Sequence, residues 1–160
     1  MTRDVRLQGL TSDHHHALVF APKIREATSR GGVDLVLLAN VRRRYVEELG
    51  PHFALEEEEL LPALEQVGRT DLVARTLSEH DARRNHLAVA GSGDLSRLTE
   101  FGVLLEAHVR FEERDLFTAC EALVELEVLT RVALRAPKGT RPAYPTRQLP
   151  AFPEVAVALK

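Results

Sequence analysis

The stretch His52-Phe53-Ala54-Leu55-Glu56-Glu57-Glu58-Glu59-Leu60-Leu61-Pro62-Ala63 decides the fold, because it returns as His108-Val109-Arg110-Phe111-Glu112-Glu113-Arg114-Asp115-Leu116-Phe117-Thr118-Ala119. Both copies read H-x3-E-E-x2-L-[L/F]-x-A. Residues four apart on a helix lie on one face with Cβ atoms about 5–6 Å apart, so His52 with Glu56, and His108 with Glu112, can each grip one centre from a single helix. Each pair falls on the apolar stripe of its segment: Leu38, Val41, Tyr45, His52, Glu56 and Ala63 on one, Leu98, Phe101, Leu105, His108, Glu112 and Ala119 on the other.

Outward from the repeat, apolar residues recur at three and four positions from Val5 to Arg135 without the period-2 alternation of strands, which predicts an all-α protein. Breaks at Ser29-Arg30-Gly31-Gly32, Gly68-Arg69-Thr70-Asp71 and Ala90-Gly91-Ser92-Gly93-Asp94 divide it into helices over 7–29, 33–66, 70–89 and 94–120, with helical pattern continuing to 134. Loops this short make neighbours antiparallel, so the expected architecture is an up-down-up-down four-helix bundle over 1–135. Pro51 lies inside the second helix and is expected to kink it. Residues 136–160 carry five of the eight prolines and read as a Pro-rich C-terminal arm.

The charge is −3, from 21 basic and 24 acidic residues, which argues against a nucleic-acid partner. The single Cys120 suits a reducing compartment and leaves any metal site to His and carboxylate. No stretch reads as a membrane span or a signal peptide, so the expected location is cytoplasmic, with no membrane partner. Arg42-Arg43-Arg44 and Arg83-Arg84 read as solvated faces.

The other two helices offer one histidine each in the matching register. The stripe Leu7, Leu10, His14, Ala17, Ala21 selects His14 from the run His14-His15-His16, with His15 one register step away. The stripe Val73, Leu77, His80, Leu87 selects His80, and His86 falls toward solvent. His14, His52, His80 and His108 with Glu56 and Glu112 make six N and O donors on facing helices, a set that suits two borderline or hard first-row metal ions with the carboxylates bridging them. Two carboxylates buried without basic partners are costly, so a cation is expected, and without one at least one carboxyl is expected to take up a proton. Glu57, Glu79, Glu113 and Asp115 are candidate acceptors for ligand N–H groups, and Tyr45 is read as a core filler.

Taken in order, Leu10-x2-Asp13-His14, His52-x3-Glu56-Glu57-x2-Leu60, Glu79-His80 and His108-x3-Glu112-Glu113-x2-Leu116 resemble the hemerythrin-like family of HHE cation-binding domains over about residues 7–120. The resemblance implies a di-iron centre with a solvent-derived bridge, His14, His52, His80 and His108 as terminal ligands and Glu56 and Glu112 as bridges; manganese or zinc are the alternatives. Oxygen-carrying hemerythrins present two histidines one turn apart on the third helix, whereas Thr76 and Arg84 flank His80 at that spacing here. The functional expectation is a non-haem di-iron protein that binds, senses or detoxifies a small ligand such as O2, peroxide or nitric oxide, or that registers iron. A di-iron oxidase or peroxidase and a metal-tuned regulatory module are the competing readings. Oligomeric state and protein partners are open.

Overall fold

The computed structural model describes residues 2–31 and 34–136. Among them every regular element is helical: α1 Gln8–Ser29, α2 Leu35–Arg44, α3 Gly50–Leu55, α4 Leu61–Gln66, α5 Thr70–Gly91, α6 Arg97–Phe111, α7 Phe117–Leu123 and α8 Leu126–Arg135. Three π turns, Tyr45–Leu49, Glu56–Leu60 and Glu112–Leu116, join α2 to α4 and α6 to α7 into continuous rods over 35–66 and 97–123. The expected second and fourth helices are these rods. The Pro-rich arm lies, beyond Ala136, outside the described residues.

The π turns follow from the spacing of the buried residues. Glu48, His52, Glu56, Leu60 and Leu64 are all buried at steps of four, as are His108, Glu112, Leu116 and Cys120. A regular α-helix turns about 100° per residue, so each step of four drifts about 40° and four such steps would carry the stripe from core to solvent. The wider π turns absorb that drift: the N–H groups of Gly50, Leu61 and Phe117 reach back to the carbonyls of Tyr45, Glu56 and Glu112. One consequence is that Tyr45 and Ala63 are only half-buried while Leu60, Leu61 and Leu64 fill the core.

The interruption expected at Pro51 takes the form of the turn Tyr45–Leu49, and Pro62 stands in the same relation to Glu56–Leu60. Each proline sits where the i to i−4 ladder is already broken, so its missing N–H leaves little unpaired. Gly50 is needed for a different reason: a Cβ there would stand 3.0 Å from the Tyr45 carbonyl oxygen.

Caps set the rod ends. The Asp34 carboxylate accepts from the Leu37 N–H at 2.8 Å and starts α2. Gly68, at φ 82°, closes the same rod, with the Arg69 N–H on the Leu64 carbonyl at 2.9 Å and the Gly68 N–H on that of Glu65 at 3.0 Å. The helical pattern to 134 is interrupted at Val124 and Glu125, whose backbones are extended, so α8 is a separate fifth helix. It lies against the turn Glu56–Leu60, burying Leu129 and Val132, while Arg131 and Arg135 reach Glu59 at 3.0 and 2.8 Å.

The apolar core forms two clusters. One gathers Leu7, Leu10, Leu60, Leu61, Leu64, Phe117 and Leu129; the other Ala21, Ile24, Val41, Phe53, Leu87, Phe101 and Leu105. Along each of α1, the 35–66 rod, α5 and the 97–123 rod, the buried His and Glu fall between residues of the first cluster and residues of the second.

On α5, Leu77 is 39% exposed and Thr76 takes the inward position. The buried residues Leu72, Thr76, His80, Arg83, Leu87 and Ala90 occupy an arc that leaves Leu77 on its far flank, about 60° from His80. Arg83, read as solvated, is 1% exposed: it donates to the carbonyl oxygens of Glu79 and Leu104, and burial pulls its pKa down to about 10.

Gly50→Ala is therefore expected to lower stability by about 1 kcal/mol or more despite the better helix propensity of alanine, because the obstructing atom belongs to the backbone. Gly91→Ala, whose Cβ would meet only the flexible end of Arg42 at 3.6 Å, is expected to stabilise slightly. Chemical denaturation of the two variants checks the contrast.

Candidate metal centre

The bundle brings all six expected side chains together. His14, His52, Glu56 and Glu112 form one quartet of donor atoms within 4.8 Å of one another, and Glu56, His80, His108 and Glu112 form a second. Both carboxylates belong to both quartets. The six residues are at most 3% exposed. His15 is exposed and His16 half-buried, which settles the register of the first helix on His14. His86 is half-buried rather than solvated, with its Nδ1 3.3 Å from Glu100 and no place in either quartet. Cys120 is also outside both, and burial pushes its thiol up to about 12.

Donor atoms converge without satisfying one another. The Nε2 of His108 is 2.8 Å and that of His14 3.0 Å from Glu112, while the Nε2 atoms of His52 and His80 are each 3.3 Å from Glu56. Even so, both oxygens of Glu56, both of Glu112 and the Nε2 atoms of His80 and His108 lack a correctly directed hydrogen bond. The Nε2 atoms of His14 and His52 face each other at 3.0 Å. Lone pairs at contact distance but aimed past one another have a common centre as their target, and an N and O set of this kind fits first-row divalent or trivalent cations.

The outward-facing nitrogens are held by a second ring of carboxylates. The Nδ1 of His14 meets Glu113 at 2.7 Å, that of His80 meets Glu57 at 2.7 Å, and that of His108 meets Glu79 at 2.7 Å. Such bonds fix the tautomer that keeps the Nε2 lone pair free for a cation. Three of the four acceptors named from the sequence are thus in place. Asp115 is not: it pairs with Arg114 at 2.7 Å instead. The missed acceptor is Asp13, 7% exposed and 3.3 Å from the Nδ1 of His52. Its signal in the sequence was its position immediately before His14 on the inward face of α1. Phe53 was also missed; it stacks on His80 at 4.0 Å between ring centres and stands edge-on to His108, walling that side with an apolar ring. Phe117 stacks on His14 at 5.0 Å.

Electrostatics correct one expectation. Burial alone would raise both central carboxyls, but the facing imidazoles outweigh it, so Glu112 is held well below the usual carboxylate range and Glu56 is also lowered. Without a cation, the protons reside on histidine rather than on a carboxyl. Burial pushes His80 down, yet the carboxylates of Glu112 and Glu56 facing its ring lift it to about 9; His14 and His52 are likewise raised against burial by the carboxylates beside them, His52 strongly. Glu79 is pulled down to about 2: burial opposes this, and the bonds from His108 and Arg75 prevail.

A helical bundle with two such His and Glu quartets at its centre is a metal-binding domain of the carboxylate–histidine class. The profile of the Hemerythrin HHE cation binding domain matches residues 6–120, and the chain belongs to that family. No curated protein and no solved structure gives a significant match.

The outer ring generates one expectation and the histidine charges another. Replacing Glu57, Glu79 or Glu113 by Ala is expected to weaken cation binding about 10–100-fold, whereas Asp115→Ala leaves it unchanged; titration of the metal-free protein measures both. The raised imidazoles stabilise the metal-free fold below their unfolded value of 6.5, and that contribution is lost as pH rises through about 9. The melting temperature of the metal-free protein is therefore expected to fall between these two values, while cation affinity climbs as the competing protons leave.

Proposed function

We propose that this domain is a non-haem di-iron protein that binds, senses or detoxifies a small ligand such as O2, peroxide or nitric oxide, or that registers iron. The observation that carries the reading is that Glu56 and Glu112 belong to both quartets, the arrangement expected of carboxylates that bridge two ions. His14 and His52 would complete one ion and His80 and His108 the other. Iron is the ion that the hemerythrin family implies, and an all N and O donor set fits it, as it also fits zinc or manganese.

When bound, such a pair supplies Lewis acidity and one-electron redox capacity toward a small molecule. The chain's own residues do the rest. Glu57, Glu79, Glu113 and Asp13 hold the imidazoles in register, Phe53 and Phe117 exclude water beside them, and neither residue one turn from His80 adds a donor. Thr76 gives its hydroxyl to the Leu72 carbonyl at 2.9 Å, and Arg84 turns to Glu57 at 2.6 Å. Two histidines and two shared carboxylates per ion leave room for solvent and one exogenous molecule.

The bundle over 1–135 is proposed to run up-down-up-down. Support comes from the order of the two apolar clusters, which α1 and α5 meet first-then-second and the 35–66 and 97–123 rods meet second-then-first. Among the described residues no helix is long and apolar enough to cross a membrane, and a cytoplasmic setting suits the single cysteine.

His80→Ala and Glu112→Ala are expected to lose bound metal, while His16→Ala and His86→Ala keep it, by elemental analysis of protein purified without chelator. Azide or nitric oxide is expected to alter the absorption spectrum of the loaded wild type. Full metal occupancy in both of the first two variants, or a spectrum indifferent to saturating azide, overturns the reading.

A further inference from the structure

Three of the four inward histidines are tied by the same chain of imidazole, carboxylate and guanidinium. Glu113 holds His14 and is itself held by Arg3 at 3.0 Å; Glu57 holds His80 and is held by Arg84 at 2.6 Å; Glu79 holds His108 and is held by Arg75 at 2.8 Å. Each carboxylate is thereby fixed from both sides, which restricts the rotation of its imidazole. His52 departs from this pattern. Its contact with Asp13 is longer, 3.3 Å, and among the described residues no arginine or lysine pairs with Asp13.

The same histidine forms part of the wall of a surface cleft of about 260 Å³, lined among the described residues also by Leu10, Pro51, Ala54, Leu55 and Arg135. By that measure a single water needs about 10–15 Å³, so the cleft holds several small molecules end to end. Among the described residues its lining is apolar apart from His52 and Arg135. Arg135 is exposed and tethered to Glu59 at 2.8 Å and to Glu58. Apolar walls suit small neutral molecules, and the Arg135 guanidinium, its charge already matched by Glu58 and Glu59, offers a small monoanion N–H donors rather than a net positive field. The larger open groove between α5 and the 97–123 rod, lined by Arg69, Arg75, Phe111 and Ala122 among others, touches none of the six central side chains.

We propose that the cleft is the entry route by which small neutral or singly anionic molecules reach the centre, with His52, the least restrained of the four histidines, at its inner end. The proposal deepens the di-iron reading and rests on it for the identity of the target, but access along the cleft is a property of the chain alone. It predicts which buried side chains meet dissolved gas. Leu10 and Leu55, 0% and 5% exposed, line the route, whereas Leu98, 0% exposed, lies in the other apolar cluster.

Two measurements test it. In the metal-free protein under oxygen pressure, paramagnetic relaxation of the Leu10 and Leu55 methyl groups is expected to exceed that of Leu98 several-fold, and Ala54→Trp, which fills the cleft from a half-buried helical position, is expected to abolish the difference. In the metal-loaded protein, Ala54→Trp is expected to slow azide association by about tenfold or more while leaving the final spectrum unchanged, with Ala122→Trp in the other groove as the control that keeps the wild-type rate. Ala54→Leu gives an intermediate slowing and serves if the larger side chain prevents folding. Equal relaxation at Leu10, Leu55 and Leu98, or azide rates in both Ala54 variants equal to wild type, overturns the route. Selective oxygen access in the metal-free chain, combined with no metal binding by the wild type, overturns the di-iron reading and leaves the route standing.

Discussion

Six polar side chains buried where a helical bundle would otherwise be dry impose the constraint from which the rest of this structure follows. Desolvating an ion costs of order several kcal/mol even after relaxation, and Glu56 and Glu112 are both 0% exposed. That cost is tolerable only if something positive occupies the space between them. In the metal-free state protons on His14, His52 and His80 serve, and in the working state a cation does. Competition between proton and metal is therefore built into the fold: the groups that make the metal-free bundle viable are the ones a metal must deprotonate.

The same constraint orders the layers outside the centre. An imidazole that must present Nε2 inward needs a carboxylate at Nδ1, and a half-buried carboxylate is in turn steadied by a cation. Arg3, Arg75 and Arg84 answer three of them. Arg83 reaches the region from within the core, 3.7 Å from Glu79 and capping two helix carbonyls, which makes it a fixed positive charge one turn from His80. Charge alternates outward from the centre, negative then positive, and His52 with Asp13 is where the alternation stops short.

Helix geometry is bent to the same end. Keeping His and Glu on one face at steps of four would rotate the apolar stripes away from the core in a straight α-helix, and the two π turns that begin at Glu56 and Glu112 undo the rotation at the residues that need it. Opening the helix there also lets two consecutive glutamates serve the same centre, Glu56 and Glu112 directly, Glu57 and Glu113 through the histidine of a neighbouring helix. Against the first of these turns lies α8, whose arginines clamp Glu58 and Glu59, so the acidic run 56–59 is divided among the centre, its outer ring and a surface strap.

The all-helical class, the three breaks and the six inward donors were legible in the sequence, because residue spacing on a helix is a local property: His52 and Glu56 share a face whatever surrounds them. Even the choice of His14 over His15 followed from the apolar stripe. Pairings across helices were not legible, since they depend on rotations of each helix about its own axis that no local pattern encodes. Thus Asp13 could not be matched to His52, nor Asp115 separated from Glu57, Glu79 and Glu113, until the helices were packed. Arg83 and Leu77 exchanged their expected places because a 20° or 40° turn of α5 decides which flank of the stripe is covered. The protonation of the centre was decided at the same level: the sequence set one imidazole a turn from each carboxylate, His52 from Glu56 and His108 from Glu112, and the tertiary structure brings a second, His80 to Glu56 and His14 to Glu112, which moves the proton from oxygen to nitrogen.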